Sequence, residues 1–157
     1  MLMKKRTIAG VTTTAAAVAG TAIFAVTGAT AASSSDAVNA VQTASKGISA
    51  KAYELDKERN RWEVTFADGT QKHVSLNGSK VTKTTRDDRE STVNQAKITL
   101  IGALRAAAPR AGNTSLTDAD IDNEDGTLVW QIGFANDTDV DVDARTGKVL
   151  RVDRDDD

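Results

Sequence analysis

The most regular stretch of the sequence is WEVTFADGTQKHV, at positions 62–74. Apolar and polar residues alternate over Trp62–Phe66, which is the two-residue period of a half-buried β-strand. Asp68-Gly69 follows, a pair that favours a tight hairpin turn, and the alternation resumes over Lys72–Leu76. The stretch therefore predicts an antiparallel hairpin with one apolar face.

The same pattern recurs 68 positions later as WQIGFANDTDVDV, at positions 130–142. Compared without a gap, segments 62–88 and 130–156 share 10 identities in 27 positions. Average residue frequencies would supply roughly one or two by chance. The large apolar residues coincide at alternate positions, and we infer that the chain contains two copies of one unit.

A helix is predicted before each set of strands. The first is capped by Ser35-Asp36 and carries apolar residues at three- and four-residue spacing. The second begins at Ser91 or Thr92 and ends at Pro109, because the residue before a proline avoids the helical region. We therefore expect an α+β protein of two tandem units, each with one helix packed on an antiparallel sheet of about four strands.

The N-terminus predicts export. Lys4-Lys5-Arg6 is followed by an uncharged run over Thr7–Gly28 and by the small residues Ala29-Thr30-Ala31. This is the pattern of a secretory signal peptide, with cleavage expected after Ala31. A retained anchor is the alternative, since about 20 apolar residues can span a bilayer. The Thr and Gly content of the run favours cleavage, and hence no membrane attachment of the mature protein.

The predicted organisation is a signal peptide at 1–31, a first unit at 32–88, and a second unit at 89–157 that ends in an acidic tail. Cleavage would change the formal charge from −2 to −5, because only three basic residues would be removed. No basic patch interleaved with aromatics occurs, so nucleic-acid binding is not expected. The sequence has no cysteine, which excludes disulfides and a cysteine nucleophile.

Four alternating acidic residues form the main pattern that suggests a ligand. Asp137, Asp139, Asp141 and Asp143 alternate with other residues, so all four are predicted on one face of a strand. Calcium loops of the EF-hand type need Gly at the sixth position and Glu at the twelfth, and this segment has neither. We expect a solvated strand face, with weak cation binding as the alternative and no dedicated metal site.

No catalytic group stands out. The single histidine, His73, is expected at the surface, since nothing in the sequence supplies it with a nucleophile or further ligands. Trp62 and Trp130 share strand phase with apolar neighbours and are expected in the core rather than in a binding site. We predict neither an enzyme nor a cofactor.

Two further stretches of the second unit are GTLVWQI at 126–132 and VDARTGKVL at 142–150, where Thr146-Gly147 suits a tight turn. Through these residues, segment 127–152 resembles the PepSY domain, a module of metallopeptidase propeptides. The first unit, whose turn reads LNGSKV at 76–81, is identified as a diverged PepSY-like unit because it repeats the second. The resemblance covers most of residues 91–152.

The PepSY resemblance implies a non-catalytic exported module of the cell envelope that binds a protein partner. We expect it to modulate a secreted peptidase, for example by inhibition, or to modulate another extracytoplasmic partner. The alternative that the residues leave open is an acidic envelope protein that binds divalent cations weakly through the Asp-rich strand and tail.

Overall fold

The computed structural model describes residues 32–112 and 114–154. Its elements, in chain order, are α1 (Ser34–Ser45), β1 (Ala52–Glu58), β2 (Arg61–Phe66), β3 (Thr70–Ser75), β4 (Val81–Arg86), α2 (Leu100–Ala107), β5 (Leu116–Glu124), β6 (Thr127–Phe134), β7 (Thr138–Asp143) and β8 (Val149–Arg154). In this part of the chain, neither helix has the length and apolar character needed to cross a bilayer. The predicted signal peptide and the end of the acidic tail, residues 155–157, lie outside it.

All eight strands form one antiparallel sheet, in the order β4-β3-β2-β1-β5-β6-β7-β8. Each half of the sheet is a meander, and the halves join where β1 pairs with β5, with Leu55 opposite Ala119. The prediction of two tandem units, each with its own helix and four-stranded sheet, is therefore wrong. Separate sheets would leave β1 and β5 as edges with unpaired backbone groups, and their pairing removes both edges.

One face of the sheet is covered by both helices, which also contact each other. The buried apolar residues form one continuous cluster. Trp62 and Trp130 are fully buried in it, which confirms their predicted core position. Their indole N–H groups donate to the carbonyls of Leu76 (2.8 Å) and Ile98 (3.0 Å), so neither buried donor is left without an acceptor.

The N-cap of helix α1 is Ser33, two residues before the predicted cap at Ser35. Ser33 and Asp36 form a reciprocal capping box, in which each side chain accepts from the other residue's backbone N–H. The buried face of the helix consists mainly of alanine, which lets its backbone lie close to its neighbours. A Cβ on Gly78, in the β3–β4 turn, would lie 2.6 Å from the Asp36 carbonyl oxygen, so only glycine fits there.

The second predicted helix is interrupted. A short 3-10 helix spans Thr92–Gln95, and α2 begins only after Thr99, whose hydroxyl accepts from the N–H of Gly102. Between them, the N–H groups of Lys97 and Ile98 both donate to the Ala144 carbonyl (2.9 Å each). The continuous helix predicted from residue 91 or 92 is wrong because these two amides bond to the β7–β8 turn.

The two halves of the sheet share their strand pairing. Trp62 lies opposite Val74 on β3, and Trp130 lies opposite Val142 on β7. A bulge follows His73 in the first half and Asp141 in the second. These positions are 68 residues apart, which is the offset found in the sequence.

Candidate interaction surface

The helices leave the second face of the sheet without a covering layer in the described part of the chain. We call it the open face. It includes these residues, which alternate with the core residues along the strands: Glu54, Asp56, Glu63, Thr65, Gln71, His73, Lys83, Thr85, Asp118, Asp120, Gln131, Gly133, Asp139, Asp141, Arg151 and Asp153. The composition of this face is strongly acidic, and it is the most distinctive surface of the fold.

Strand pairing arranges the open face in two rows, each of which crosses all eight strands. From β4 to β8, the first row is Lys83, His73, Glu63, Asp56, Asp118, Gly133, Asp139 and Asp153, and the second is Thr85, Gln71, Thr65, Glu54, Asp120, Gln131, Asp141 and Arg151. Neighbours in a row have Cβ atoms about 4.5–5.5 Å apart. Negative charge is therefore concentrated in the middle of the sheet.

The joint between β1 and β5 places like charges directly opposite each other. Asp56 faces Asp118, and Glu54 faces Asp120. Directly opposed like charges destabilise a sheet, although Glu54, Asp56 and Asp120 each have at least one further interaction. The joint is held by backbone pairing and by the core beneath it.

A glycine next to the joint makes room for one of these carboxylates. Gly133 on β6 lies opposite Asp118, and a Cβ there would lie 2.9 Å from each carboxylate oxygen of Asp118. Any larger residue at this position would displace the carboxylate. Sequence reasoning missed the acids of β1 and β5, although the alternation in ELDKE (54–58) and in TDADIDNE (117–124) was a usable signal.

His73 is buried, with 8% of its surface exposed, so its predicted exposure is wrong. Its Nε2 lies 3.3 Å from the Thr85 hydroxyl, and its Nδ1 lies 3.6 Å from a Glu63 carboxylate oxygen. The same oxygen accepts two hydrogen bonds from the Arg61 guanidinium, at 2.6 and 2.8 Å. Side chains on both neighbouring strands cover the imidazole, which a single-strand pattern cannot reveal.

The four candidate cation ligands lie in different environments. Asp137 occupies the β6–β7 turn with a φ of +53°, and Asp139 is exposed on the open face. Asp141 is only 4% exposed and accepts from Nε of Arg151 at 2.8 Å, so its predicted solvation is wrong.

Asp143 is engaged in the β7–β8 turn. Its Oδ1 accepts from the N–H groups of Thr146 (2.9 Å) and Arg145 (2.8 Å), and these bonds lower the pKa of the carboxyl below its ordinary value. The four carboxylates do not converge. Over residues 32–112 and 114–154, no group of three or more acidic or histidine side chains is arranged to hold a metal ion.

A small apolar cleft lies on the opposite side of the molecule, where the two helices meet the sheet. Its volume is about 170 Å³, and its walls include Val41 of α1, Val93, Ile98 and Leu100 near α2, and Trp130 of β6. Both halves of the chain contribute to it, which is why no local sequence pattern predicted it.

The fold and the surface define a class of small α+β protein: two helices on one face of an antiparallel sheet, with the other face open and acidic. Residues 97–153, which extend from just before α2 into β8, match the family model of the PepSY domain, described as "Peptidase propeptide and YPEB domain". The predicted resemblance is therefore confirmed for the second half of the chain. The match covers 57 of the 157 residues and does not reach the first half.

No curated protein matches this chain. Among solved structures, the chain is similar to a "putative lipoprotein" from Clostridium difficile 630, with 19% identity and a TM-score of 0.41. That alignment covers 80% of this chain and 94% of the other.

Proposed function

We propose that this protein is an exported, non-catalytic PepSY-domain protein that binds and modulates a protein partner outside the cytoplasm, with a secreted peptidase as the leading candidate. The observation that carries the proposal is the match of residues 97–153 to a domain described as a peptidase propeptide. A propeptide acts by contact with a peptidase, so the module needs a binding surface rather than catalytic groups. Nucleic acid and membrane are not proposed as partners.

The open face is the surface that we assign to this contact. Its central acids, among them Asp118 and Asp120, form a broad negative patch in the middle of the sheet. Electrostatic complementarity steers encounter and selects the partner more than it sets affinity. A basic surface on the peptidase or other envelope partner would fit this patch, and binding should weaken as the salt concentration rises.

The experiment is a pull-down with the tagged, exported protein from the medium and envelope fraction of its own cells, followed by peptidase assays with and without it. The test variant is Asp118→Asn/Asp120→Asn on the open face. The control is Asp88→Asn/Asp125→Asn, which removes the same charge from exposed positions in a connecting loop and a turn. We expect only the first variant to lose the partner and the change in peptidase activity. Recovery of no peptidase and no effect on peptidase activity would overturn the peptidase version.

We also propose that segment 32–88 is a diverged copy of the PepSY unit in segment 89–157. The support is the shared pairing of β2–β4 and β6–β8 at the 68-residue offset, bulges included. Solved structures of further members that contain both halves would test this. Absence of the same bulge and pairing in their first halves would contradict common origin.

Export is a separate proposal with its own test. The mature N-terminus is expected at Ala32, after cleavage behind Ala31. N-terminal sequencing and intact-mass measurement of the protein from the medium or envelope give a direct answer. An intact N-terminus in a membrane fraction would favour the retained anchor.

Weak binding of divalent cations is the second candidate function, and the acids of β7 motivate it. Asp139 is exposed on the open face, opposite Gly133. Asp141 and Asp143 are already engaged by Arg151 and by the turn, so any affinity would be low and unselective. Titration calorimetry with Ca²⁺ tests it, and absence of heat at millimolar ion with no rise in melting temperature would remove it.

A further inference from the structure

The two edge strands of the sheet have the same backbone construction. β4 and β8 each have six residues, each pairs in the same register with its neighbour, and each contains a bulge at the equivalent place. Both present an outer row of backbone groups that could pair with another strand. Any difference in how these edges behave must therefore come from their side chains.

The side chains of the two edges differ in kind. The exposed large hydrophobic residues of the described part of the chain are Leu150 (48% exposed) and Val152 (36% exposed), and both lie on β8. The β4 residue equivalent to Val152 is Thr84, and it lies between Lys83 and Thr85. An edge with lysine and threonine resists pairing with another chain, whereas an apolar edge invites it.

The sequence of β8 is complementary to itself in one register. A two-fold axis perpendicular to the sheet keeps the helix faces of both copies on one side and their open faces on the other. Directly opposed residues of antiparallel strands point to the same face, so the axis must lie midway between two copies of the same residue. An axis at Val152 places Arg151 of each copy opposite Asp153 of the other, giving two pairs of opposite charge. An axis at Arg151 or at Asp153 would instead place like charges opposite each other, which destabilises a sheet.

We propose that two copies of this chain pair through β8, antiparallel and with Val152 on the two-fold axis, to form one continuous sixteen-stranded sheet. The two Val152 side chains meet on the helix side of the sheet. On the open face, Arg151 contacts Asp153 of the second copy. Arg151 already donates through Nε to Asp141, and its remaining guanidinium N–H groups can serve the second copy. This dimer does not depend on the proposed peptidase partner, and it would join two acidic open faces into one surface.

The first test is the mass of the exported protein, produced from the full-length chain and measured by sedimentation over a range of concentrations. We expect a reversible rise towards twice the monomer mass. Val152→Lys should abolish it, and Asp153→Lys should weaken it by about tenfold or more, because two opposite-charge pairs become like-charge pairs. Thr84→Lys, the equivalent change on β4, should leave it unchanged. Melting curves confirm that each variant is folded.

The second test addresses the register. The sequence contains no cysteine, so Val152→Cys introduces a single thiol at the axis, where Cα atoms about 4.5–5.5 Å apart allow a disulfide. We expect covalent dimers after mild oxidation of Val152→Cys and none of Thr84→Cys. A protein that stays monomeric at all concentrations, or a dimer that persists in Val152→Lys, would overturn the proposal. So would β8 amides that become protected from exchange only when a different protein is added.

Discussion

The two halves of the sheet have the same backbone and different chemistry on the open face. At equivalent positions, His73 lies beside Glu63 and its Arg61 partner, whereas Asp141 is bound directly by Arg151. The core side has changed far less, since Trp62 and Trp130 are both fully buried. The apolar stripe and the turns therefore fix the strand pairing, while the open face can change without altering it.

Truncation of either tryptophan should have the largest effect on the buried core side that the two halves share. Trp62→Ala and Trp130→Ala should each lower the free energy of unfolding by about 3–5 kcal/mol, the usual loss when a large buried aromatic is truncated. Because one core joins both halves, each variant should unfold in a single transition. Denaturant titration followed by circular dichroism and by fluorescence of the remaining tryptophan measures both properties.

The matched controls are Trp62→Phe and Trp130→Phe, which keep an aromatic ring and remove the hydrogen bond to a backbone carbonyl. Each should lower the free energy of unfolding distinctly less than the alanine change at the same position does. Two separate transitions in either alanine variant would contradict a single cooperative body and would favour two independent units.

The turns after β2 and β6 can be compared by exchanging their equivalent residues, Gly69 and Asp137. Gly69 has a φ of +81°, and Asp137, its equivalent, has a φ of +53°. A Cβ on Gly69 would lie 2.6 Å from the Asp87 carbonyl oxygen, so Gly69→Asp combines left-handed strain with a backbone clash. We expect a loss of about 2–4 kcal/mol in the free energy of unfolding.

The reverse change, Asp137→Gly, should alter the free energy of unfolding by no more than about 1 kcal/mol, because relief of the positive φ is partly offset by the greater freedom of glycine in the unfolded chain. Thermal and urea unfolding of both variants measure the asymmetry. Equal and opposite effects would show that the two turns are interchangeable and that the close approach to Asp87 is unimportant.

Sequence periodicity predicted the parts of this fold that local patterns control. The phase of β2 and β6 follows from alternation around Trp62 and Trp130, and the turn at Asp68-Gly69 follows from its residue types. The pairing of β1 with β5 could not be predicted in this way. It joins strands far apart in sequence and brings Asp56 opposite Asp118, which a charge argument alone would have rejected.

The candidate surface was predicted in part. Alternation correctly placed Asp139 and Asp141 on one face, but it could not show that Arg151 on the next strand covers Asp141. The burial of His73 has the same cause, because Glu63 and Thr85 belong to neighbouring strands. Exposure on a sheet depends on cross-strand neighbours, and these are known only when the register is known.

The ion pair between Arg151 and Asp141 is specific to the second half, because the equivalent cross-strand pair on the first half is Lys83 and His73. Arg151→Ala leaves Asp141, with 5% of its side chain exposed, without the guanidinium. Arg151 itself is more than half exposed, so solvent screening limits the effect. We expect the free energy of unfolding to fall by about 1 kcal/mol. Lys83→Ala, the equivalent change opposite His73, should alter stability by less than about 0.5 kcal/mol.

Both variants are compared by urea unfolding at low protein concentration, where association through β8 does not contribute. If Lys83→Ala lowers the free energy of unfolding as much as Arg151→Ala does, the two halves are electrostatically equivalent at this position.

The smallest expected effects are on stability at acidic pH, and they involve a different turn in each half. In the second half, the N–H groups of Thr146 and Arg145 lower the pKa of Asp143, whose counterpart Ser75 does not titrate. In the first half, the backbone N–H and hydroxyl of Thr70 lower the pKa of Asp68, whose counterpart is Asn136. Each half therefore has an acid-sensitive turn, and the two turns lie at opposite ends of the paired hairpins.

A carboxyl whose folded pKa is depressed contributes stability above its unfolded pKa of about 3.9, and that contribution is lost as the pH falls through the folded pKa. Asp143→Asn and Asp68→Asn keep an acceptor for the turn and cannot ionise. Each variant should therefore be less stable than the wild type at neutral pH and approach it below about pH 4. Thermal melts between pH 2 and pH 7 measure the difference, with Ser75→Ala as the control that does not titrate. A stability difference between variant and wild type that stays constant across this pH range would mean that these two turns require the geometry of the side chain rather than its charge.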